Sequence, residues 1–179
     1  MKTVKVIDKE FGLYIPQEKI ENSIQNVANQ INHDLDGMNP LFLVILNGAF
    51  MFASELFKRI TIPCEISFVK LSSYAGTETT SVVRELIGLD HPLNGRHVVI
   101  VEDIVDTGHT LRYTTQKLRD LKASDVRIAT LFFKPDNFKY SYPIDYKGMD
   151  IGNEFIVGYG LDYDQQGRNL PDIYKIIEQ

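Results

Sequence analysis

The sequence predicts an α/β domain on a mostly parallel central sheet flanked by helices, and three observations lead there. Two short, uninterrupted apolar runs, Leu41–Leu46 (LFLVIL) and VVIV at residues 98–101, have the form of strands buried on both faces. Apolar residues recur at helical spacing in the segments around them. The resulting order of strand, helix, strand, loop, strand, helix, strand is that of crossover-linked parallel strands.

Taken in order, Ile20, Ile24, Val27, Ala28, Ile31 and Leu35 predict an amphipathic helix over residues 18–35, closed by Gly37 and Pro40. The first apolar strand follows, then a turn at Asn47-Gly48 and a helix over residues 50–60 with Phe52, Leu56 and Ile60 on one side. Residues 64–71 alternate in part and run into the polar stretch SSYAGTETTS. Residues 83–87 are strand-like again, so the two pieces are expected to pair across that loop. Gly95-Arg96 turns into the second apolar strand, with a helix expected over 111–121 and a strand over 126–133. After Pro135 the chain is irregular and aromatic-rich, with one short strand expected over 154–159. The expected organisation is a single domain over residues 1–179: a core over about 20–135, with a small hood from the N-terminal segment and about 136–179.

A formal net charge of −5 argues against a nucleic-acid coat, which needs a basic face. It leaves room for a small anionic ligand, because backbone dipoles and a metal act locally. The single cysteine, Cys64, rules out an internal disulfide and reads as a small core or edge residue. The start MKTVKVIDKE has no apolar leader core, and no run approaches the roughly 18 apolar residues of a membrane-spanning helix. No membrane association and a cytoplasmic location are expected.

The chemistry concentrates in VVIVEDIVDTGHT, residues 98–110. An apolar strand leads to Glu102-Asp103, then to Asp106-Thr107-Gly108-His109-Thr110 opening a helix. Ligands of open α/β sheets bind beyond the carboxyl ends of the strands. A helix N-terminus there offers unpaired N–H groups and partial positive charge to a phosphate. Gly108 allows close backbone approach, and Thr107 and Thr110 add hydroxyls. The acid pair is badly placed for a phosphate; it suits sugar hydroxyls or a hydrated Mg²⁺. Together these groups describe a site for ribose 5-phosphate. The triplet DTG alone reads more readily as a helix cap beside a solvated acidic turn; the full run is far more specific.

That run resembles the phosphoribosyl pyrophosphate (PRPP) motif of type I phosphoribosyltransferases. From the N-terminal residues to beyond Arg168 the chain is similar to the hypoxanthine(-guanine) branch, through LVILNGAF, LSSYAG, LFFKPDNF and EFIVGYGLDYDQQGRNLP. The resemblance implies that 5-phosphoribose passes from PRPP to a 6-oxopurine, giving a nucleoside monophosphate and pyrophosphate, with Mg²⁺ as cofactor. It implies that Glu102 and Asp103 contact the ribose hydroxyls directly or through Mg²⁺, and that Asp106 is the base taking the proton from purine N7. Residues Asp106, Thr107, Gly108, His109 and Thr110 would bind the ribose phosphate, and Lys134 would donate to the purine O6. Phe155 would stack on the ring and Ile156 would read its edge through backbone groups. Asp162 would help place a second Mg²⁺ and meet a 2-amino group, Arg168 would reach the pyrophosphate, and Ser73-Tyr74 would belong to a lid.

Relatives carry a basic residue where Asn47 stands, ahead of Gly48, in a loop whose backbone holds pyrophosphate, often through a non-proline cis peptide. By the same resemblance the chain is expected to form a homodimer or homotetramer. Two other readings are a PRPP-sensing regulator of the same fold and a xanthine- or guanine-preferring transferase. The acidic balance, Asp106 and the lack of an added helix-turn-helix domain speak against the regulator.

Overall fold

The computed structural model describes residues 2–74, 82–87 and 92–177. The chain opens with the hairpin of β1 (Thr3–Val6) and β2 (Lys9–Ile15), then α1 (Gln17–Asp34), β3 (Leu41–Leu46) and α2 (Phe50–Phe57). Next come β4 (Glu65–Tyr74), β5 (Val82–Ile87), β6 (His97–Val105), α3 (His109–Asp120) and β7 (Asp125–Phe133). A 3-10 turn, Pro135–Asn137, precedes β8 (Tyr146–Asp150), β9 (Ile156–Val157) and β10 (Ile173–Ile176).

The main sheet has the order β5-β4-β3-β6-β7-β8. Its five strands from β4 to β8 run parallel, and only the edge strand β5 is antiparallel, to β4. This is the predicted α/β class, and the expected pairing of the two pieces that flank the polar loop is present. The alternation of β6 explains its apolar run. Val99 and Val101 pack in one core cluster with Ile24, Ile31 and Phe52, while Val98 and Ile100 pack in the other with Leu111 and Leu118. Both faces of the strand are covered, so no polar alternation is needed.

The buried stripe of α1 is Ile20, Ser23, Ile24, Val27, Ala28 and Ile31, at the spacing of one helical face. Its start is closed from far along the chain. Pro16 at the N-cap offers no side-chain acceptor, and the Asp172 carboxylate accepts from the Gln17 N–H at 2.9 Å. A carboxylate at a helix N-terminus satisfies an orphan donor and favours the dipole. The same group takes the ammonium of Lys2 at 2.6 Å and the hydroxyl of Tyr174 at 3.1 Å. Asp172 thereby joins both ends of the chain to the first helix. Those ends form a second, antiparallel sheet of order β1-β2-β10-β9.

Some boundaries differ from the sequence-based expectation. The second helix ends at Phe57 rather than near residue 60, because Arg59 N and Ile60 N bond to Leu56 and Phe57 carbonyls in a turn. The strand expected over 98–101 runs on to Val105, so Glu102 and Asp103 lie within it and not in a bend after it. The strand expected over 154–159 reduces to Ile156–Val157. The chain after Pro135 first returns to the main sheet as β8, pairing with β7. No helix is long and apolar enough to cross a membrane among the described residues.

Candidate active site

The site begins where β6 ends. Glu102 and Asp103 are buried, at 7% and 9% exposure. Burial raises the Glu102 carboxyl well above the usual range, and Asp103 beside it adds to the effect. Burial also raises Asp103 to about 6, against the pull of its backbone hydrogen bonds and of Arg168. The Asp103 carboxylate lies against Gly48, where a Cβ would collide with it. Gly160 is as close on the other side, a Cβ there colliding with the Gly48 carbonyl. Glycine at both positions lets three segments of the chain meet at one point. The Leu46-Asn47 peptide in this loop is cis, and Asn47 is exposed. Ile45, Leu46, Gly48, Glu102, Asp103 and Thr110 line a cavity of about 220 Å³.

The turn at residues 106–110 stands next to it. Gly108 caps α3 with φ +83°, in the left-handed region, and a Cβ there would meet Phe138 Cε2 at 2.5 Å. The Tyr142 hydroxyl donates to the Gly108 carbonyl at 2.8 Å, and the Tyr140 hydroxyl meets His109 Nδ1 at 2.6 Å. Asp106 is partly exposed. Its Oδ1 accepts from Asn137 Nδ2 at 2.9 Å, and its Oδ2 lies 3.6 Å from Lys134 Nζ.

Lys134 is buried at 7% exposure and donates to the Glu154 carbonyl at 3.2 Å. That carbonyl immediately precedes Phe155, so Lys134 connects Asp106 to the aromatic. Phe155 is 46% exposed, with Phe11 and Tyr163 packed near its ring at 6.3 and 5.9 Å. An apolar ring held by two others yet open to solvent is suited to stacking on a flat ligand. Ile156 is buried in β9.

Asp162 and Arg168 form an ion pair at 2.6 Å, and a second guanidinium nitrogen of Arg168 donates to the Gly160 carbonyl at 2.7 Å. Ser73 and Tyr74 end β4; the rest of the lid expected there lies outside the described residues. Cys64 is partly buried and burial pushes its thiol up, as befits a structural residue. A larger hollow of about 490 Å³ lies elsewhere, between α3 and residues 140–145. Its carboxylates Asp125 and Asp145 are already bonded to Arg127 and the Ile128 N–H.

Among the described residues no three His, Cys, Asp or Glu side chains gather as one metal-holding cluster. The adjacent pair Glu102–Asp103 nevertheless suits a hard cation that keeps most of its other ligands from water and substrate oxygens, as Mg²⁺ does. Two buried carboxylates without a paired cation are costly, and a bound ion offsets that cost. Sequence reasoning did not find Asn137, Tyr140, Tyr142 or Gly160; no spacing rule marks the first three, whose partners in the turn lie 31 to 34 residues away, and Gly160 meets Gly48 from a distant part of the chain.

Fold and site define an α/β protein with a glycine turn and helix N-terminus beyond its central strand, beside a buried acid pair. The sequence profile described as phosphoribosyl transferase domain matches residues 15–164. The hypoxanthine-guanine phosphoribosyltransferase of Streptococcus thermophilus is 42% identical over 164 residues, covering 91% of each chain. A crystal structure of the Bacillus anthracis hypoxanthine-guanine phosphoribosyltransferase, with HEPES in its active site, is 35% identical with a TM-score of 0.87, covering 92% of this chain and 98% of that one. The hypoxanthine phosphoribosyltransferase of Staphylococcus aureus is 36% identical with a TM-score of 0.87, covering 92% and 90%. The chain belongs to the phosphoribosyltransferase family.

Proposed function

We propose that this enzyme serves purine salvage, transferring 5-phosphoribose from PRPP to hypoxanthine and guanine to give IMP and GMP with release of pyrophosphate. The observation that carries the reading is Lys134. A buried ammonium 3.6 Å from Asp106 and bonded beside Phe155 joins a hydrogen-bond donor, a carboxylate and an open aromatic face next to the phosphate turn.

In this reading the 5′-phosphate sits on the N–H groups of the turn, with the Thr107 and Thr110 hydroxyls and His109 around it. Glu102 and Asp103 meet the ribose hydroxyls, directly or through a Mg²⁺ ion that they would hold when it is bound. The backbone of Asn47-Gly48 and the guanidinium of Arg168 take the pyrophosphate, a use that suits a fixed fork of donors. Phe155 stacks on the purine, Lys134 donates to O6, and the backbone at Ile156 and Asp162 reads the ring edge. Purine N9 forms its bond to the anomeric carbon as the bond to the pyrophosphate oxygen breaks, with inversion. Asp106 accepts the proton from N7. When bound, Mg²⁺ neutralises the charge that builds on the leaving pyrophosphate, and a second ion near Asp162 would add to this. Holding both reactants in line supplies much of the acceleration.

A basic residue is absent at Asn47, so pyrophosphate is held by backbone groups there. Exposed Phe50 and Phe68 beside partly buried Phe57 support self-association, as a homodimer or homotetramer. The lone thiol agrees with a cytoplasmic setting. Substrate choice is tested by comparing kcat/KM for hypoxanthine, guanine, xanthine and adenine with PRPP. The reading expects hypoxanthine and guanine far above adenine; equal use of adenine would overturn the role of Lys134.

A further inference from the structure

Residues 105–109 are each held by a residue from 134–142, the segment that follows β7. The Val105 carbonyl accepts from Lys134 N at 2.9 Å, and Asp106 Oδ1 accepts from Asn137. The Thr107 carbonyl accepts from Lys139 N at 3.2 Å. The Gly108 carbonyl accepts from the Tyr142 hydroxyl at 2.8 Å, and His109 Nδ1 meets the Tyr140 hydroxyl at 2.6 Å. Phe138 and Tyr140 fill the space where any side chain at position 108 would stand.

The direction of these bonds matters more than their number. In a trans peptide the N–H points opposite to the C=O of the same plane. The Thr107 carbonyl is anchored on the aromatic segment and the Gly108 carbonyl is shared between the Tyr142 hydroxyl and Arg112 N at 3.0 Å, so the N–H groups of Gly108 and His109 are aimed the other way. Those amides belong to the start of α3, where they have no intrahelical acceptor. The segment acts as a template that presets the turn for an anion.

The template is itself rigid. Tyr140 and Tyr142 stack at 5.6 Å with 17° between their planes. Phe138 meets Tyr142 edge-on at 5.2 Å and Phe133 at 5.2 Å, which roots the group in the core beside β7. The guanidinium of Arg112 lies 5.2 Å over the Tyr140 ring. Both hydroxyls thus reach the turn from rings that have little freedom to move.

We propose that Tyr142, with Tyr140 beside it, is a positioning residue for the 5′-phosphate: its hydroxyl holds the Gly108 carbonyl so that the amides converge before PRPP arrives. The inference rests on the reading of this turn as the phosphate site. Neither tyrosine touches the reacting atoms, so its loss is expected in binding of the phosphate end and not in the chemical step.

The test is Tyr142→Phe, which keeps the stacked ring and removes the hydroxyl. The KM for PRPP and the inhibition constant of ribose 5-phosphate should both rise by about 3- to 10-fold, the size of one lost hydrogen bond. The kcat at saturating PRPP, the KM for hypoxanthine and the inhibition constant of pyrophosphate should stay within about twofold. Tyr140→Phe removes the contact to His109 and should move the same two constants in the same direction. An unchanged ribose 5-phosphate constant in both variants would overturn the proposal, as would an equal rise for pyrophosphate, which marks general loosening. If the wild type released no pyrophosphate from PRPP with any purine, the assignment of the reaction would fail first. An active wild type with unmoved variants would sink the template alone.

Discussion

The side-chain amide of Asn137 donates to Asp106 at 2.9 Å, on the opposite carboxylate oxygen from the one that faces Lys134. Asp106 is therefore fixed at both oxygens by residues that begin the segment after β7. A carboxylate intended to take a proton from a bound ring needs a defined direction, and these two contacts supply it. Asp106→Asn should lower kcat by about 10²- to 10⁴-fold, the usual share of a positioned base. PRPP affinity, read by titration calorimetry, should change little. Turnover close to wild type would remove Asp106 from the role.

Asn137 acts through Asp106, so its loss should be milder. Asn137→Ala is expected to reduce kcat by about 3- to 10-fold, in line with one hydrogen bond, with the KM for PRPP held. Asn137→Asp would set a second carboxylate at 2.9 Å from the first and should be worse than alanine. The ranking of the two variants in steady-state kinetics checks this; an alanine variant slower than the aspartate one would contradict it.

Lys134 is buried, and its partners, the Asp106 carboxylate and the Glu154 carbonyl, are both in the site. Lys134→Met keeps the length of the stem and removes the donor. The KM for hypoxanthine should rise by roughly 10- to 100-fold, since a purine O6 brought into the site would lose its partner. The KM for PRPP should move much less. Equal changes in both constants would mean that Lys134 serves the fold and not the base.

Asp103 links the site to pH. In metal-free protein burial holds its carboxyl at about 6, against an ordinary value of 3.8. A folded-state value above the unfolded one means that the folded chain binds the proton more tightly. The contribution of this group to stability is therefore most favourable below about 4 and is lost as the pH rises through about 6. Full ionisation corresponds to about 3 kcal/mol. With chelator present, Asp103→Asn should exceed the wild type in denaturant melts at pH 7, and the gap should close towards pH 4. A gap independent of pH would contradict the cost of the ionised carboxylate.

Much of this was legible in the sequence because it depends on local order. The apolar runs of β3 and β6 and the stripe of α1 follow from burial on one or two faces, which repeats along the chain. The turn proposed for the phosphate stood out for the same reason: strand, acid pair, glycine and helix start lie within residues 98–110. The second, antiparallel sheet was harder to read. β9 and β10 have two and four residues, too few to show a period, and the pairings of β9 with β10 and of β10 with β2 are long-range. Asp172 reads as an ordinary loop aspartate, and only the folded chain shows it capping α1. Tyr140 and Tyr142 looked like part of an irregular aromatic stretch because their hydroxyls bond to a turn more than 30 residues earlier.

The most direct measurement is a coupled assay of the purified protein with PRPP, hypoxanthine and Mg²⁺, following IMP by absorbance and pyrophosphate by enzymatic release. The expected result is one IMP per pyrophosphate, dependent on both substrates and abolished by chelator. PRPP binding without formation of IMP from hypoxanthine, or of GMP when guanine replaces it, would contradict the account.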